Sequence, residues 1–198
     1  MLEIKNIDGF TPVGKYKRKK QIILTHTSRN VKDYIKSLKY RYNGENQKLP
    51  HYIIDREGQV FSIIPSNAYA SYMDVVSHNK NSIIITLENL GWLRKNPLKS
   101  NYINWIGNEH MDNIYERKWR GYYFWQPYTD KQMESLVSLI EKLCDEYKIP
   151  MTTIGHNVKV DKIENFNGIV TKSNYDTEST DLNPAFDFSI FINKKENE

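Results

Sequence analysis

Gln21-Ile22-Ile23-Leu24-Thr25-His26 and Ser82-Ile83-Ile84-Ile85-Thr86-Leu87-Glu88 are the two stretches on which the fold turns. Each is a short apolar, β-branched run closing on polar residues, which suits a strand buried inside a sheet. In the second, Ile84, Thr86 and Glu88 share a face, because side chains alternate along a strand. Between them, Asn30 is positioned to cap a helix through about Tyr42, with Val31, Tyr34, Ile35, Leu38 and Tyr42 on one face. Gly44 and Asn46 mark its exit loop. His51-Tyr52-Ile53-Ile54 and Val60-Phe61-Ser62-Ile63-Ile64 then flank the turn Asp55-Arg56-Glu57-Gly58 as a hairpin, and Pro65 stops the second strand.

Farther on, Thr129-Asp130-Lys131-Gln132 matches a capping box and opens the clearest helix, to about Tyr147. Met133, Leu136, Val137, Ile140, Leu143 and Cys144 form its apolar stripe, and Pro150 ends it. Thr152 to His156 reads as a short strand or turn. A polar loop at about 157–179 follows, and Asp181 to Phe188 reads as a turn into a short C-terminal helix. Residues 89–127 have no clear period and carry Trp92, Trp105, Trp119, Tyr122, Tyr123 and Trp125. That stretch is either a glycan- or peptide-facing insertion or a self-packed aromatic cluster. Only the Lys/Glu/Asn tail after Ile192 is low in complexity. Strands mixed with two good helices predict an α/β fold: one domain, 1–198, with a central mixed β-sheet flanked by helices.

Composition narrows the function classes. The 198 residues are 39% hydrophobic and 26% charged, which is globular rather than disordered. The net charge of +4 is small and scattered, so no nucleic acid partner is expected. No apolar run approaches the roughly 20 residues that cross a bilayer. Met1 to Lys20 lacks the apolar core of a secretory signal, so the chain is expected to be made in the cytoplasm. The single cysteine, Cys144, forms no internal disulfide and sits on a helix stripe. A monomer is expected.

Chemistry points to histidine. His26 and His156 close predicted strands, and the acid of Thr180-Asp181-Leu182-Asn183-Pro184-Ala185-Phe186 can join them. Two histidines plus a carboxylate is a common catalytic zinc set, with the fourth position open to water. Each also has a plain structural role, the histidines as satisfied strand ends and Asp181 as a helix cap.

The order of motifs adds a resemblance. His-Thr-Ser after an apolar strand, His-Tyr-Ile-Ile-Asp-Arg-Glu-Gly-Gln-Val, Asn-Ser-Ile-Ile-Ile-Thr-Leu-Glu, Tyr-Thr-Asp-Lys-Gln-Met-Glu-Ser-Leu, Ile-Gly-His-Asn and Thr-Asp-Leu-Asn-Pro-Ala-Phe-Asp-Phe occur in this order. Together they resemble the zinc-dependent N-acetylmuramoyl-L-alanine amidases of the bacteriophage T7 lysozyme and peptidoglycan recognition protein type, over about residues 20–192. The resemblance implies Zn2+ held by His26, His156 and Asp181, with Asp187 the runner-up acid. It implies a peptidoglycan or muropeptide substrate, cut between N-acetylmuramic acid and L-alanine. Glu88 is then the candidate general base, and His51 the candidate for orienting substrate or stabilising the oxyanion. A strand-end charge and a partly buried strand residue are their plain alternatives.

The chain departs from the family pattern at four places. Thr86 stands where many members carry a catalytic Glu, Pro50 where others carry a Tyr, Ser179 where a basic residue is frequent, and Tyr69-Ala70 replaces a Trp-His pair. A phage lysis enzyme, a virion-carried hydrolase and a wall-recycling amidase all fit. So does a non-catalytic muropeptide-binding module on the same fold.

Overall fold

The computed structural model describes residues 2–45 and 47–191. Asn46 of the expected exit loop, and the tail from Ile192, lie outside the described residues. The first strands are β1 (Ile4–Asn6), β2 (Gly14–Lys15), β3 (Gln21–His26), β4 (Tyr52–Ile54), β5 (Val60–Ser62), β6 (Ala68–Tyr69) and β7 (Ser82–Leu87). Then come β8 (Trp92–Lys95), β9 (Tyr102–Ile103), β10 (Glu109–His110), β11 (Tyr115–Trp119), β12 (Tyr122–Trp125) and β13 (Gly168–Thr171). The α-helices are α1 (Val31–Tyr40), α2 (Val76–Asn81), α3 (Asp130–Tyr147) and α4 (Lys172–Tyr175).

A six-stranded sheet in the order β1-β5-β4-β7-β3-β13 forms the centre. Only the β4–β5 hairpin is antiparallel; β1–β5, β4–β7, β7–β3 and β3–β13 are parallel. The expected mixed α/β architecture is the observed one. The two deciding stretches are its central pair, with Ile22, Ile23, Leu24, Ile83 and Ile85 fully buried. Strands buried on both faces read as continuous apolar runs, as these do.

Alternation sorts the side chains into two cores. Ile22, Leu24, Ile83, Ile85 and Leu87 pack beneath Leu136, Leu139, Ile140 and Leu143 of α3, joined by Phe186 and Phe191. The opposite face carries Ile53 with Leu38 of α1, and Ile23, Ile84 and Val170 with Met73 and Ile163. Helix α1 starts where expected, Asn30 Oδ1 accepting from the Asp33 N–H at 2.8 Å. Its end falls earlier than expected. Tyr42 adopts φ 54°, outside the helix, and is exposed. Thr129 caps α3 through the Gln132 N–H, but the Gln132 side chain does not close the box. It donates instead to the Ile54 and Glu88 carbonyls, tying helix to sheet.

Two segments differ from expectation. Residues 89–127 form a five-stranded antiparallel sheet, order β10-β9-β8-β12-β11, rather than an irregular insertion. Its strands are short and bulged, which breaks the period in sequence. Trp125 is fully buried there, Trp92 stacks on Tyr122 at 4.3 Å, and Tyr102 meets Phe124 edge-on at 5.0 Å. The self-packed reading therefore describes most of its aromatic residues.

The second difference lies between 152 and 175. Thr153 makes only an isolated bridge to Ile169, and the strand beside β3 is β13, inside the expected polar loop. Gly168 opens β13 with a backbone approach to Thr152 so close that a Cβ would stand 2.5 Å from its carbonyl oxygen.

Candidate active site

Parallel strands present their carboxyl ends together, and ligands of open α/β sheets bind outside those ends. Here His26 closes β3, and Lys172 follows β13 directly. Thr171 is level with Leu24, so Lys172 arrives beside the last turn of β3. Asp181 returns to the same point, its Oδ1 3.3 Å from His26 Nδ1. The return is held by the backbone: the Ser173 N–H donates to the Asp181 carbonyl at 2.8 Å, and Ser173 Oγ donates to the Ser179 carbonyl at 2.9 Å.

These three groups line a cleft of about 280 Å³ with Arg29, Tyr34, Arg41, Lys48, Tyr72 and Trp105. Its floor is a chain of hydroxyls. Thr25 Oγ1 lies 2.8 Å from the Tyr72 hydroxyl and 3.2 Å from Thr86 Oγ1, and the Tyr34 hydroxyl bonds to both Tyr72 and Thr86. Burial, with Tyr72 alongside, holds the Tyr34 phenol well above its usual range, so it stays a neutral donor. Trp105, half exposed, supplies the outer wall.

The wall is fastened by carboxamides. Asn104 Nδ2 donates to the Ser28 carbonyl at 2.7 Å, and Asn89 Nδ2 to the Gln126 carbonyl at 3.0 Å. Asn183, fully buried two residues past Asp181, donates to Asn89 Oδ1 at 2.9 Å and to the Gln126 carbonyl at 3.0 Å. Gly91 sits against the other side of His26 with φ +75°; a Cβ there would stand 2.7 Å from Nε2.

The electrostatics follow the geometry. Burial pushes the His26 pKa down; the Asp181 carboxylate opposes this and Lys172 reinforces it. Lys172 is also penalised by burial, yet its pKa is raised, because Asp181, Tyr72, Asp176 and Asp74 together outweigh that penalty. The cleft thus holds a neutral imidazole, a carboxylate and a firmly charged ammonium.

Of the expected site residues, the structure brings together His26 and Asp181. His156 is exposed outside the cleft, its Nδ1 accepting from the Val158 N–H at 3.2 Å. The segment that carries it meets the sheet only through the Thr153–Ile169 bridge and forms no strand of its own. His51 is 1% exposed and fully engaged: Nε2 donates to the Ala68 carbonyl at 3.0 Å and Nδ1 accepts from the Ile84 N–H at 2.9 Å. Neither nitrogen is left for substrate, and its role is structural. Glu88 does not line the cleft either. Burial raises its pKa, while its carboxylate accepts the backbone N–H groups of Val31 and Arg56, tying the start of α1 to the hairpin turn. That is the strand-end charge of the plain alternative. Asp187 is exposed and accepts from Ser189.

A catalytic zinc calls for three protein ligands and an open fourth position. His26 Nδ1 is buried without a hydrogen-bond partner among the described residues, which suits a donor awaiting a ligand. Asp181 is a second donor. The cleft's other strand-end group is Lys172, an ammonium with no lone pair to give and a charge that repels a dication. Among the described residues no group of three His, Cys, Asp or Glu side chains could hold a metal. The residues present do not fit the expected zinc set.

Lys172, Tyr34 and Tyr72 were not singled out from sequence as site residues. One signal for Lys172 existed: Gly168-Ile169-Val170-Thr171-Lys172 is an apolar, β-branched run closing on a polar residue, the same signature that marked His26.

Comparison with known proteins now bears on this arrangement. A family model described as N-acetylmuramoyl-L-alanine amidase matches residues 15–168. No curated protein matches the sequence. Among solved structures, AMPDH3 from Pseudomonas aeruginosa, in complex with an anhydromuramic pentapeptide, superposes with a TM-score of 0.57 at 16% identity, covering 94% of this chain and 62% of that one. An AmpD structure gives 0.54 at 16% identity, covering 97% and 94%. The Clostridium intestinale endolysin amidase LysCS gives 0.50 at 16% identity, covering 86% and 81%. At these identities the structural likenesses speak for the fold, while the model match spans most of the sequence and both central strands. The chain belongs to the N-acetylmuramoyl-L-alanine amidase family.

Proposed function

We propose that this protein acts on bacterial peptidoglycan as an N-acetylmuramoyl-L-alanine amidase, in the cleft at the ends of β3 and β13. The observation that carries the reading is the convergence of His26, Asp181 and Lys172 at those strand ends, in a chain of this family. Amide hydrolysis needs a base for water and a counter-charge for the tetrahedral oxyanion. Asp181, partly exposed, accepts the proton of the attacking water as oxygen adds to the carbonyl carbon. Lys172 and the Tyr34 and Tyr72 hydroxyls hold the oxyanion. The carbon–nitrogen bond then breaks, and the proton passes from Asp181 to the departing alanine nitrogen. The products are the lactyl carboxylic acid of the muramic residue and a peptide with a free amino terminus. His26 lies against Asp181 from its buried side, Nδ1 3.3 Å from Oδ1. Action at the cell wall, including as a phage lysis enzyme, suits this activity. No helix among the described residues is long and apolar enough to cross a membrane.

A second reading has its own support. The Asp181 charge helps to keep Lys172 protonated against its burial, so the ammonium is a fixed cation rather than a base, which suits a cleft that binds muropeptide without cutting. One experiment separates the two: incubation of the purified chain with a muramoyl peptide, followed by labelling of new α-amino groups. Release of peptides beginning with L-alanine supports the amidase. Saturable binding with no release across pH supports the binding module.

A further inference from the structure

The strand that lies beside β3 decides which residue completes the site. β13 pairs with β3 in parallel from Gly168↔Gln21 to Thr171↔Leu24. The next residue is Lys172, delivered to the end of β3 beside His26 and facing the carboxylate that His26 also touches. The backbone leaves little latitude there. Lys172 is the first residue of α4, fixed by Thr171 and Asn174, whose side chains and backbones cap each other. Asn174 Nδ2 in turn donates to the carbonyls of His156 and Val158 at 2.8 Å, and Asn157 Nδ2 donates to the Leu182 carbonyl, which fixes the backbone of the His156 segment while the His156 ring stays exposed outside the cleft.

The cleft is also cationic. Arg29, Arg41, Lys48 and Lys172 line it, against one acid, Asp181. Lys48 additionally faces the exposed Asp74 at 3.9 Å. A groove so lined selects a ligand bearing carboxylates or a developing oxyanion, as peptide stems with free carboxyl groups do.

We propose that the Lys172 ammonium is the resident cation of this cleft, standing at the corner where a zinc site would carry its third protein ligand. The cleft thereby holds an oxyanionic group of a carboxylate-bearing muropeptide without a metal. The proposal rests on the peptidoglycan reading above and deepens it, and its tests do not depend on cleavage.

The first test needs no variant. The purified full chain is stripped with EDTA, dialysed against excess Zn2+ and then against buffer, and its metal content measured. Well under one zinc per chain is expected. One tightly held zinc, lost in His156→Ala, overturns the proposal and leaves the amidase reading standing. The second test adds the missing donor. Lys172→His adds an imidazole to the cleft that His26 and Asp181 line and should take up one zinc per chain; failure to do so shows that Lys172 does not hold that corner.

The third test is calorimetric titration with an anhydromuramoyl pentapeptide. The parent should bind equally, within about twofold, with and without EDTA. Lys172→Met should weaken binding about 10- to 100-fold, as expected for losing a charge-assisted contact, and Lys172→Arg should restore part of it. Equal affinity of Lys172→Met and parent, or loss of parent binding in EDTA, overturns the proposal. Binding without cleavage defeats the amidase reading alone.

Discussion

Replacing His51 tests whether this residue is structural or catalytic, and the structure sets the magnitude. His51→Leu removes the partners of two buried backbone groups, the Ala68 carbonyl and the Ile84 N–H. An unsatisfied buried polar group costs about 1–3 kcal/mol, so the pair costs about 2–6 kcal/mol at neutral pH. Lys19 Nζ also donates to the Ala68 carbonyl, at 2.6 Å, which places the outcome toward the lower end. Acid adds a second signature. Burial, with the Lys19 charge nearby, pushes the His51 pKa from 6.5 to about 3. The unfolded chain therefore binds a proton below pH 6.5 that the folded chain refuses. Stability is fully present above that value, and falls as the pH drops from 6.5 toward 3. At pH 5 the loss from this one group is about 2 kcal/mol, at ~1.36 kcal/mol per pH unit. The assay is urea denaturation of parent and His51→Leu at pH 7 and pH 5. The parent should be the more stable at pH 7, with its margin about 2 kcal/mol narrower at pH 5, since the variant lacks the titrating group. A variant as stable as the parent but inactive on muropeptide would refute the structural assignment and return His51 to the chemistry.

Glu88→Gln should keep muropeptide cleavage within about threefold of the parent. A fall in the 10²–10⁴ range expected for a lost acid/base would reinstate it as the general base. Gly91→Ala should lower urea stability by about 1–3 kcal/mol and weaken muropeptide binding, because the new Cβ meets His26 Nε2 in a positive-φ backbone. Asn183→Ala removes one of two donors from Asn89 Oδ1 and from the Gln126 carbonyl, and the acceptor of the Ala185 N–H; denaturation should report a loss of about 1–3 kcal/mol. Cys144, buried and with its thiol pushed up to about 11, should react with iodoacetamide at pH 8 about 100-fold more slowly in the native chain than in urea, following its thiolate fraction.

Legibility in the sequence followed the range of the forces involved. The central strands, the β4–β5 hairpin, the Asn30 cap and the stripe of α3 rest on local patterning, and the sequence reading located them within a residue or two. Tyr42 failed as a helix residue because the chain turns left-handed there, a choice no apolar period encodes. The antiparallel sheet of 89–127 was hidden for a similar reason: its strands are two to five residues long, and their pairing, not their pattern, makes them strands. In the site, His26 and Asp181 were identified because each closes a recognisable local motif. His156 entered from a predicted strand end and the family resemblance, whereas Lys172 comes to the cleft because its segment pairs with β3. That pairing joins residues far apart in the chain and is invisible to a window moving along it. His51 and Glu88 had the right chemistry, but their partners are backbone groups brought in by other elements.

The carboxamide fastening of the wall bears on how a ligand gets in. Asn89 and Gln126 stand where the chain enters and leaves the antiparallel sheet, and Asn104 ties its interior to the Ser28 carbonyl. Swinging Trp105 aside would require breaking several buried hydrogen bonds together, so floor and wall travel as one rigid unit. A muropeptide bound as proposed would need no prior movement of this wall. Arrival is then governed by encounter and charge, and stopped-flow association should be a single phase whose rate rises linearly with ligand and falls with salt.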